Sequence, residues 1–357
     1  MIVEKSKLKS ALAKLSVLVN RESTINGNPT RILFESKDGS VSLTSCDGMN
    51  IGVFSFETSD KSNMDFVCDY RTLAAATVLR GDVSLECDGS ILTISQGDTK
   101  MKYPVKGKDS YPSENKSIDN DNVLVIDSGK LKKLIGKISY IRKDKDPRPF
   151  TTGVNVRFDG KKLQMEVTDG PRIFRNYTVL DSENDFSFSG VIGARTVKLI
   201  ETLDDEIPVS IQMDLSAISI KTGDMKVYMP LLNCKYPNLD KLFSSDGEAK
   251  FKLGQSAVLE SMEIFSVSDN KALSLSKVDG KLLFSMDDGI SDIKDRIEIV
   301  SSEGVDFSFA IDFDIFRDLF RNLRESENVE MSWKNDQSPI YFRDDENMEG
   351  MLMPLKK

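Results

Sequence analysis

Internal repetition is the feature of this sequence that most restricts its fold. Asp-Gly pairs beside alternating apolar residues occur in three segments: KDGSVSLTSCDGMNI at 37–51, FDGKKLQMEVTDGPRI at 158–173 and VDGKLLFSMDDGISDI at 278–293. Such a pair predicts a hairpin or tight loop, because Gly tolerates a positive φ and Asp caps its own turn. The second pair of each segment begins at Asp47, Asp169 and Asp288, at intervals of 122 and 119 residues. Three such repeats would fill the chain of 357 residues.

Other landmarks keep a similar spacing. Short strands that end in proline place Pro104, Pro230 and Pro354 at intervals of 126 and 124 residues. Each repeat opens with an amphipathic stretch, at 6–19, 129–141 and 255–267. The apolar residues of the first two stretches recur at helical spacing, which predicts helices with one buried face. A second helical stretch and a strand pair precede each proline, so the predicted repeat is helix, strands, helix, strand meander.

The repeats predict an α+β fold with three similar domains in tandem, over residues 1–117, 118–246 and 247–357. Each domain has an ordinary size and is large enough to bury its own core. Polar, charged segments at 106–122 and 244–250 suit the boundaries, and SYPSE at 110–114 and KYPNL at 235–239 are predicted linkers.

Composition is typical of a soluble globular chain that does not enter a membrane. Hydrophobic residues make up 39% and charged residues 29%, and no apolar run approaches twenty residues. The opening MIVEKSKLK predicts a helix rather than a signal peptide. The four cysteines, Cys46, Cys68, Cys87 and Cys234, lack CxxC spacing and predict reduced thiols in a cytoplasm.

The complete absence of histidine excludes several kinds of chemistry. Ser-His-Asp and Cys-His nucleophile systems and histidine-ligated metals need that residue. The sequence also lacks GxxxxGK[ST] and GxGxxG, which cradle phosphates. We therefore expect no cofactor and no metal. Paired-carboxylate chemistry stays open at positions such as Asp287 and Asp288, although turns explain the Asp-Gly positions better.

Basic charge is concentrated on helices, although the net charge is −9. Residues 130–145 contain seven basic residues and one acidic residue, Asp144. Further basic side chains lie on the first helix and on the second helices of the later repeats: Lys5, Lys7, Lys9, Lys14, Arg195, Lys198, Arg317, Arg321 and Arg324. A charge run is usually a solvated face, but symmetry would collect equivalent helices on one surface. That surface would attract the phosphate backbone of duplex DNA without reading its bases.

With these features the sequence resembles the bacterial DNA polymerase III beta subunit, the sliding clamp family. The resemblance covers the whole chain and includes TDG and Arg172 in the second repeat, YPN in the following linker and a terminal MPL. It implies a DNA-clamp fold in which two crescent-shaped chains close head to tail into a homodimeric ring of six domains. Twelve helices would line the hole, and sheets would form the outer wall.

The resemblance also implies a function. A clamp is a non-enzymatic processivity factor that encircles double-stranded DNA without sequence preference, in the cytoplasm at the nucleoid. It tethers the DNA polymerase and the clamp loader through short linear peptide motifs, which bind a hydrophobic cleft between the second and third domains.

The family's motifs carry site residues over to this chain. The cleft corresponds to Thr168, Gly170, Pro171, Arg172, Ile173, Pro237, Lys241, Leu242, Met351, Met353, Pro354 and Leu355. DNA contacts of the family correspond to Arg21, Lys145, Arg148, Phe150 and Arg195, and the basic run at 130–145 adds Lys132, Lys133 and Lys137 as predicted DNA contacts. The dimer interface corresponds to Met101, Tyr103, Ile264 and Phe265. The family commonly has histidine at the position of Pro171, and with Pro171 and Lys241 the sequence does not determine which partner motif is preferred.

Two alternatives stay open at this point. One is a clamp-like scaffold that binds partners but never encircles DNA. The other is a hydrolase that uses paired carboxylates such as Asp287 and Asp288.

Overall fold

The structure of the protein is a computed structural model of the chain. It describes residues 1–19, 31–112, 116–181, 183–243, 247–287, 289, 291–323, 326–335 and 337–355.

The elements follow one order three times along the chain. The first set is β1 (Ile2–Val3), α1 (Lys5–Leu15), β2 (Arg31–Lys37), β3 (Ser40–Cys46), β4 (Ile51–Glu57), β5 (Met64–Asp69), α2 (Tyr70–Ala76), β6 (Val83–Cys87), β7 (Ile91–Gln96) and β8 (Thr99–Pro104). The second set is β9 (Leu124–Asp127), α3 (Ser128–Gly136), β10 (Val154–Phe158), β11 (Lys162–Thr168), β12 (Arg172–Val179), β13 (Phe188–Ile192), α4 (Ala194–Glu201), β14 (Pro208–Met213), β15 (Ala217–Lys221) and β16 (Met225–Pro230). The third set is β17 (Ala249–Gly254), α5 (Gln255–Phe265), β18 (Ala272–Val278), β19 (Lys281–Asp287), β20 (Asp292–Glu298), β21 (Ser301–Gly304), β22 (Ser308–Asp312), α6 (Phe313–Asn322), β23 (Asn328–Trp333), β24 (Ile340–Asp344) and β25 (Met348–Leu352). Among the strands and α-helices of the described residues, only β21 has no counterpart in the other two sets.

The Asp-Gly pairs form turns, as the sequence predicts. Asp38 and Gly39 have φ values of 52° and 90°, and Asp279 and Gly280 have 52° and 79°. Each pair is the whole loop of a hairpin, β2 to β3 and β18 to β19 respectively. Two successive positive φ angles give a type I′ turn, whose twist matches that of the flanking strands. These carboxylates therefore have a structural explanation.

The chain separates into two compact units. The first unit contains residues 1–132 and 188–233, and the second contains residues 133–187 and 234–357. The division into three domains at 117 and 246 stays a prediction.

One sheet in each unit joins strands of successive repeats. In the first unit one sheet has the order β1-β6-β7-β8, and another has the order β5-β2-β3-β4-β16-β15-β14-β9. In the second unit one sheet has the order β20-β19-β18-β22, and another runs β10-β11-β12-β25-β24-β23-β17-β21. Thus β4 pairs with β16 and β12 pairs with β25, both antiparallel. The third hairpin strand of one repeat pairs each time with the last strand of the next.

The helices bury the apolar faces that the sequence predicts. Leu8, Leu12 and Leu15 of α1 are at most 2% exposed. In and after α3, the buried face consists of Leu131, Leu134, Ile135 and Ile138. Asp312 caps the N-terminus of α6, because its carboxylate accepts a hydrogen bond from the Ile315 N–H at 3.0 Å.

Candidate functional site

The turn between β11 and β12 is fixed by side-chain hydrogen bonds and lies in the second unit. The Asp169 carboxylate accepts from the Arg172 N–H at 3.0 Å and from Arg172 Nε at 2.9 Å. Thr168 Oγ1 donates to the Arg172 carbonyl at 2.7 Å. Gly170 has a φ of 112°, a backbone conformation that residues with a side chain rarely adopt. The turn therefore holds Pro171 and Arg172 in one arrangement.

The C-terminal segment lies beside this turn. Strand β25 pairs with β12 so that Met351 is opposite Ile173. Beyond the strand, the Met353 N–H donates to the Pro171 carbonyl at 3.1 Å, and the Leu355 N–H donates to the Ala310 carbonyl at 2.8 Å. Met353 and Leu355 stay 44% and 37% exposed. The segment thus offers apolar side chains to solvent next to the turn.

The predicted linker at 235–239 packs onto the same face of the sheet. Leu239 forms a buried cluster with Ile173 and Met351, each at most 7% exposed. Tyr236, Phe243 and Tyr341 pack around that cluster. We call these six residues the apolar floor. A short 3-10 helix, Asp240–Phe243, follows Leu239.

One predicted cleft residue lies outside the apolar floor. Leu242 is 41% exposed and does not belong to the cluster of Ile173, Leu239 and Met351. The 3-10 turn directs Leu239 and Phe243 inward instead, and Lys241 is also exposed while Pro237 is half-buried. Sequence reasoning missed Leu239, Phe243, Tyr236 and Tyr341. Only the apolar spacing of LDKLF could have suggested the first two.

Two half-buried tyrosines near the predicted cleft have buried hydroxyl groups. The hydroxyl groups of Tyr236 and Tyr140 are buried without a hydrogen-bond partner. Burial raises the pKa of Tyr236, and the nearby Glu166 carboxylate raises it further. Phe150, one of the predicted DNA contacts, is half-buried, and its ring lies edge-on to Tyr236 with a centroid distance of 6.1 Å.

The lysines of α3 are largely neutralised by acids that are distant in the sequence. Lys132 Nζ donates to the Leu203 carbonyl at 3.0 Å and to Asp205 at 2.5 Å. Lys133 Nζ lies 2.7 Å from Glu346. The excess of positive charge that the local sequence indicates is therefore smaller in the folded chain.

Lys137 differs from the other lysines of this segment because its side chain is buried. Its Nζ lies 2.6 Å from Asp344 and 2.7 Å from Glu346, and the lysine is 5% exposed. Asp344 also accepts from Ser326 Oγ at 3.2 Å and from the N–H groups of residues 346 and 348. A lysine held in this way is paired within its own chain, and the contact of Lys137 with DNA stays a prediction.

Lys14 of α1 has an equivalent environment in the first unit. It is 5% exposed, and its Nζ lies 2.7 Å from Asp204 and 2.9 Å from Asp224. Burial lowers the pKa of Lys14, but the two carboxylates outweigh that effect and raise it. Both lysines therefore join the first helix of one repeat to acids of the next.

The other predicted DNA contacts have mixed surroundings. Lys145 is exposed, whereas exposed Arg148 pairs with Asp146 at 3.0 Å. Hydrogen bonds from Arg148 and Lys143 hold the pKa of the Asp146 carboxyl below its usual range. Arg195 Nη1 lies 2.5 Å from Asp47. Arg21 lies outside the described residues.

The four predicted interface residues divide between the two units. Met101 and Tyr103 are half-buried on β8, the end strand of its sheet. Ile264 is 48% exposed on α5. Phe265 is 0% exposed, and its ring lies edge-on to Phe284 at 6.2 Å. Phe265 is therefore a core residue of the single chain, and its contact with a partner chain stays a prediction.

One acid of the hydrolase alternative, Asp287, is the last residue of β19. Asp287 accepts a hydrogen bond from the Gly289 N–H at 2.8 Å, as a turn residue does, and Asp288 lies outside the described residues. Among the described residues, no group of three or more His, Cys, Asp or Glu side chains has an arrangement that could hold a metal ion. In the same part of the chain, no helix has the length and apolar character needed to span a bilayer.

Comparison with known proteins places this geometry in one class. The clamp from Bacillus subtilis has the same fold, with a TM-score of 0.90, 19% identity and coverage of 100% of this chain and 98% of that one. The sliding clamp from Pseudomonas aeruginosa, solved bound to griselimycin, gives a TM-score of 0.92 at 15% identity and covers 100% and 99%. The fold is therefore that of a DNA clamp.

Sequence comparison relates part of the chain to one protein family. Residues 125–238 match the family model described as "DNA polymerase III beta subunit, central domain". The beta sliding clamp of Streptococcus pneumoniae serotype 4 is 27% identical over 211 residues, which cover 56% of this chain. The match spans about half, 55%, of that relative's length. The central part of the chain therefore matches this family, and the whole chain has the clamp fold.

Proposed function

We propose that this protein is a DNA sliding clamp, a non-catalytic processivity factor that encircles duplex DNA and tethers the replicative polymerase. The observation that carries the proposal is the agreement of the whole chain with the clamp fold, at TM-scores of 0.90 and 0.92. Such a protein would act in the cytoplasm at the nucleoid.

Partner binding would occur on the apolar floor and the C-terminal segment. Exposed Met353 and Leu355 beside the floor could receive an extended peptide with one or two large apolar side chains. Methionine side chains are flexible and polarizable, which suits a site shared by several partners, including the polymerase and the clamp loader. Each fully buried anchor would contribute roughly 1.5–3 kcal/mol before ordering costs.

Ring closure would follow from the pattern of strand pairing. In each unit the third hairpin strand of one repeat pairs with the last strand of the next, as β4 does with β16 and β12 with β25. The same rule would pair β20 of one chain with β8 of a second copy. Both are end strands of their four-stranded sheets, and pairing would cover exposed edges. A head-to-tail homodimer with two such junctions closes on itself.

DNA would be held weakly by lysines that stay exposed. Lys9, Lys130, Lys145 and Lys198 are exposed, the first three on or near first helices and the last on α4. Contacts of this kind neutralise phosphates without reading sequence, which permits sliding.

The decisive experiment compares DNA topologies. After loading by the organism's clamp loader, the protein should stay on nicked circular plasmid during gel filtration and leave the same plasmid after linearisation. Equal retention on both forms would contradict encirclement and favour the scaffold alternative.

A further inference from the structure

The sheet face that carries the apolar floor also carries a set of charged residues. In the pairing of β12 with β25, Ile173 is opposite Met351, and two residues along the strands Arg175 is opposite Glu349. Residues two apart on a strand point to the same face. The apolar pair and the charged pair are therefore neighbours on one surface of the second unit.

The linker is attached to this charged pair through Asp240. The Asp240 carboxylate accepts from Arg157 Nη1 at 3.1 Å and 3.2 Å, one distance for each oxygen. It also lies 3.5 Å from Arg175 Nη1. Asp240 is the first residue of the 3-10 helix Asp240–Phe243, so these contacts fix the start of the turn that points Leu239 and Phe243 inward.

Arg175 is the centre of the arrangement. Its side chain is 15% exposed, and its Nε bonds the Glu349 carboxylate. The guanidinium carbon lies 3.9 Å from the centroid of the Phe243 ring, a cation–π geometry. Glu349 is held on its other side by Arg343 Nη2 at 3.2 Å. Arg175 thus contacts Asp240 of the linker, Phe243 of the apolar floor and Glu349 of β25.

We propose that Asp240, Arg175 and Glu349, which we call the polar clasp, are positioning residues that set the affinity of the cleft for a partner peptide. They would act through Leu239 and Phe243 without touching the peptide. This inference rests on the proposed function.

The physical reason is the shortness of the element that the clasp holds. A single 3-10 turn has few internal hydrogen bonds, so packing and the clasp decide how often the linker lies on the sheet. A site that is formed only part of the time binds more weakly in proportion to the fraction formed. Losing the charge of Asp240 should therefore weaken peptide binding even though the peptide-facing side chains are unchanged.

The test compares Asp240→Asn with Asp240→Glu and with Asp181→Asn, a control at an exposed position of the same unit. Fluorescence anisotropy measures binding of the tightest peptide found by tiling the organism's replicative polymerase. We expect Asp240→Asn to weaken binding about tenfold, as a tenfold smaller competent fraction requires. Asp240→Glu should restore most of the affinity, and Asp181→Asn should bind like the wild type.

Two further readouts separate positioning from a general loss of structure. Wild-type affinity should fall as KCl is raised, whereas the affinity of Asp240→Asn should depend less on salt, because the ion pairs are already absent. Trypsin should cut after Lys241 faster in Asp240→Asn than in the wild type, while thermal unfolding stays similar. Equal affinity and equal cleavage in the two proteins would overturn the clasp and leave the proposed function intact. A wild type that binds no polymerase peptide would instead overturn the proposed cleft, and the clasp's role with it.

Discussion

At the scale of single residues, burial decides which lysines are available to DNA. Lys14 and Lys137 are each 5% exposed and paired with two carboxylates, whereas Lys130 and Lys198 are exposed on helices. A buried ammonium is retained because its acid partners offset the cost of removing it from water. These two lysines therefore hold successive repeats together.

Replacing Lys137 by Met should destabilise the protein strongly. The substitution leaves the Asp344 carboxylate, whose side chain is 0% exposed, without its cation. Leaving one charge of a buried pair unpaired costs about 3–5 kcal/mol. Lys133→Met is the matched control, because that lysine is 39% exposed in its pair with Glu346 and should cost less than about 1 kcal/mol. Urea unfolding of both variants provides the comparison, and equal destabilisation would contradict the assignment.

The same cluster should make stability depend on acid pH. Burial raises the pKa of Glu346, but hydrogen bonds from Lys133 and Lys137 outweigh it and lower the pKa below its ordinary value. A carboxylate with a lowered folded pKa stabilises the native state above its unfolded pKa, and this contribution disappears as pH falls through the folded value. The free energy of unfolding of the wild type should thus exceed that of Glu346→Gln at pH 7, and the difference should shrink below roughly pH 4. A difference that is the same at pH 7 and pH 3 would exclude this titration.

At the scale of elements, the C-terminal segment closes the sheet and borders the cleft. Its hydrogen bonds to Pro171 and Ala310 attach it to the β11–β12 turn and to β22. Deleting residues 353–357 should abolish polymerase-peptide and clamp-loader binding in calorimetry, because the deletion removes Met353 and Leu355. Deleting only residues 356 and 357 is the control. Equal affinity for the full-length and shorter proteins would mean that the segment is only a closing strand.

The exposed lysines of the helices allow a test of the proposed DNA binding. Replacing Lys130, Lys145 and Lys198 by Glu should weaken binding to all sequences alike and flatten its salt dependence, by roughly 0.9 in the log–log slope for each phosphate that is no longer neutralised. Lys226→Glu, at an exposed strand position, should leave the slope unchanged. A shift in sequence preference, or the same slope in the triple variant, would count against the helices as the DNA surface.

At the scale of the whole molecule, repetition predicts how two chains meet. Ile264 and Val267 are 48% and 81% exposed in and after α5, the helix that contacts β20 in its own unit. Ile264→Glu should yield monomers in analytical ultracentrifugation, because a charge would replace a large apolar side chain worth roughly 1.5–3 kcal/mol when buried. Val179→Glu, at a 52% exposed position, is the control. A dimer of unchanged mass in Ile264→Glu would refute this interface.

Much of this arrangement is readable from the sequence. The order of elements, the Asp-Gly turns and the buried faces of α1 and α3 follow from periodicity and turn residues, and short motifs carry the resemblance to the sliding clamp family. These features are local, since φ preferences and the spacing of apolar residues act over a few neighbouring positions. Repetition then extends the local prediction to the full length of the chain.

Tertiary structure alone decided which charged and apolar side chains are exposed to solvent and which are buried or paired. The partners of Lys137 and Lys14 lie more than 180 residues away, so a local count of charge could not show that these lysines are neutralised and buried. Phe265 and Ile264 are adjacent in sequence, yet one is buried and the other is exposed. Likewise Leu239, not Leu242, completes the apolar floor, because the path of the linker over the sheet sets the direction of each side chain. Burial and ion pairing depend on which segments meet in space, and strand pairing between distant repeats determines that.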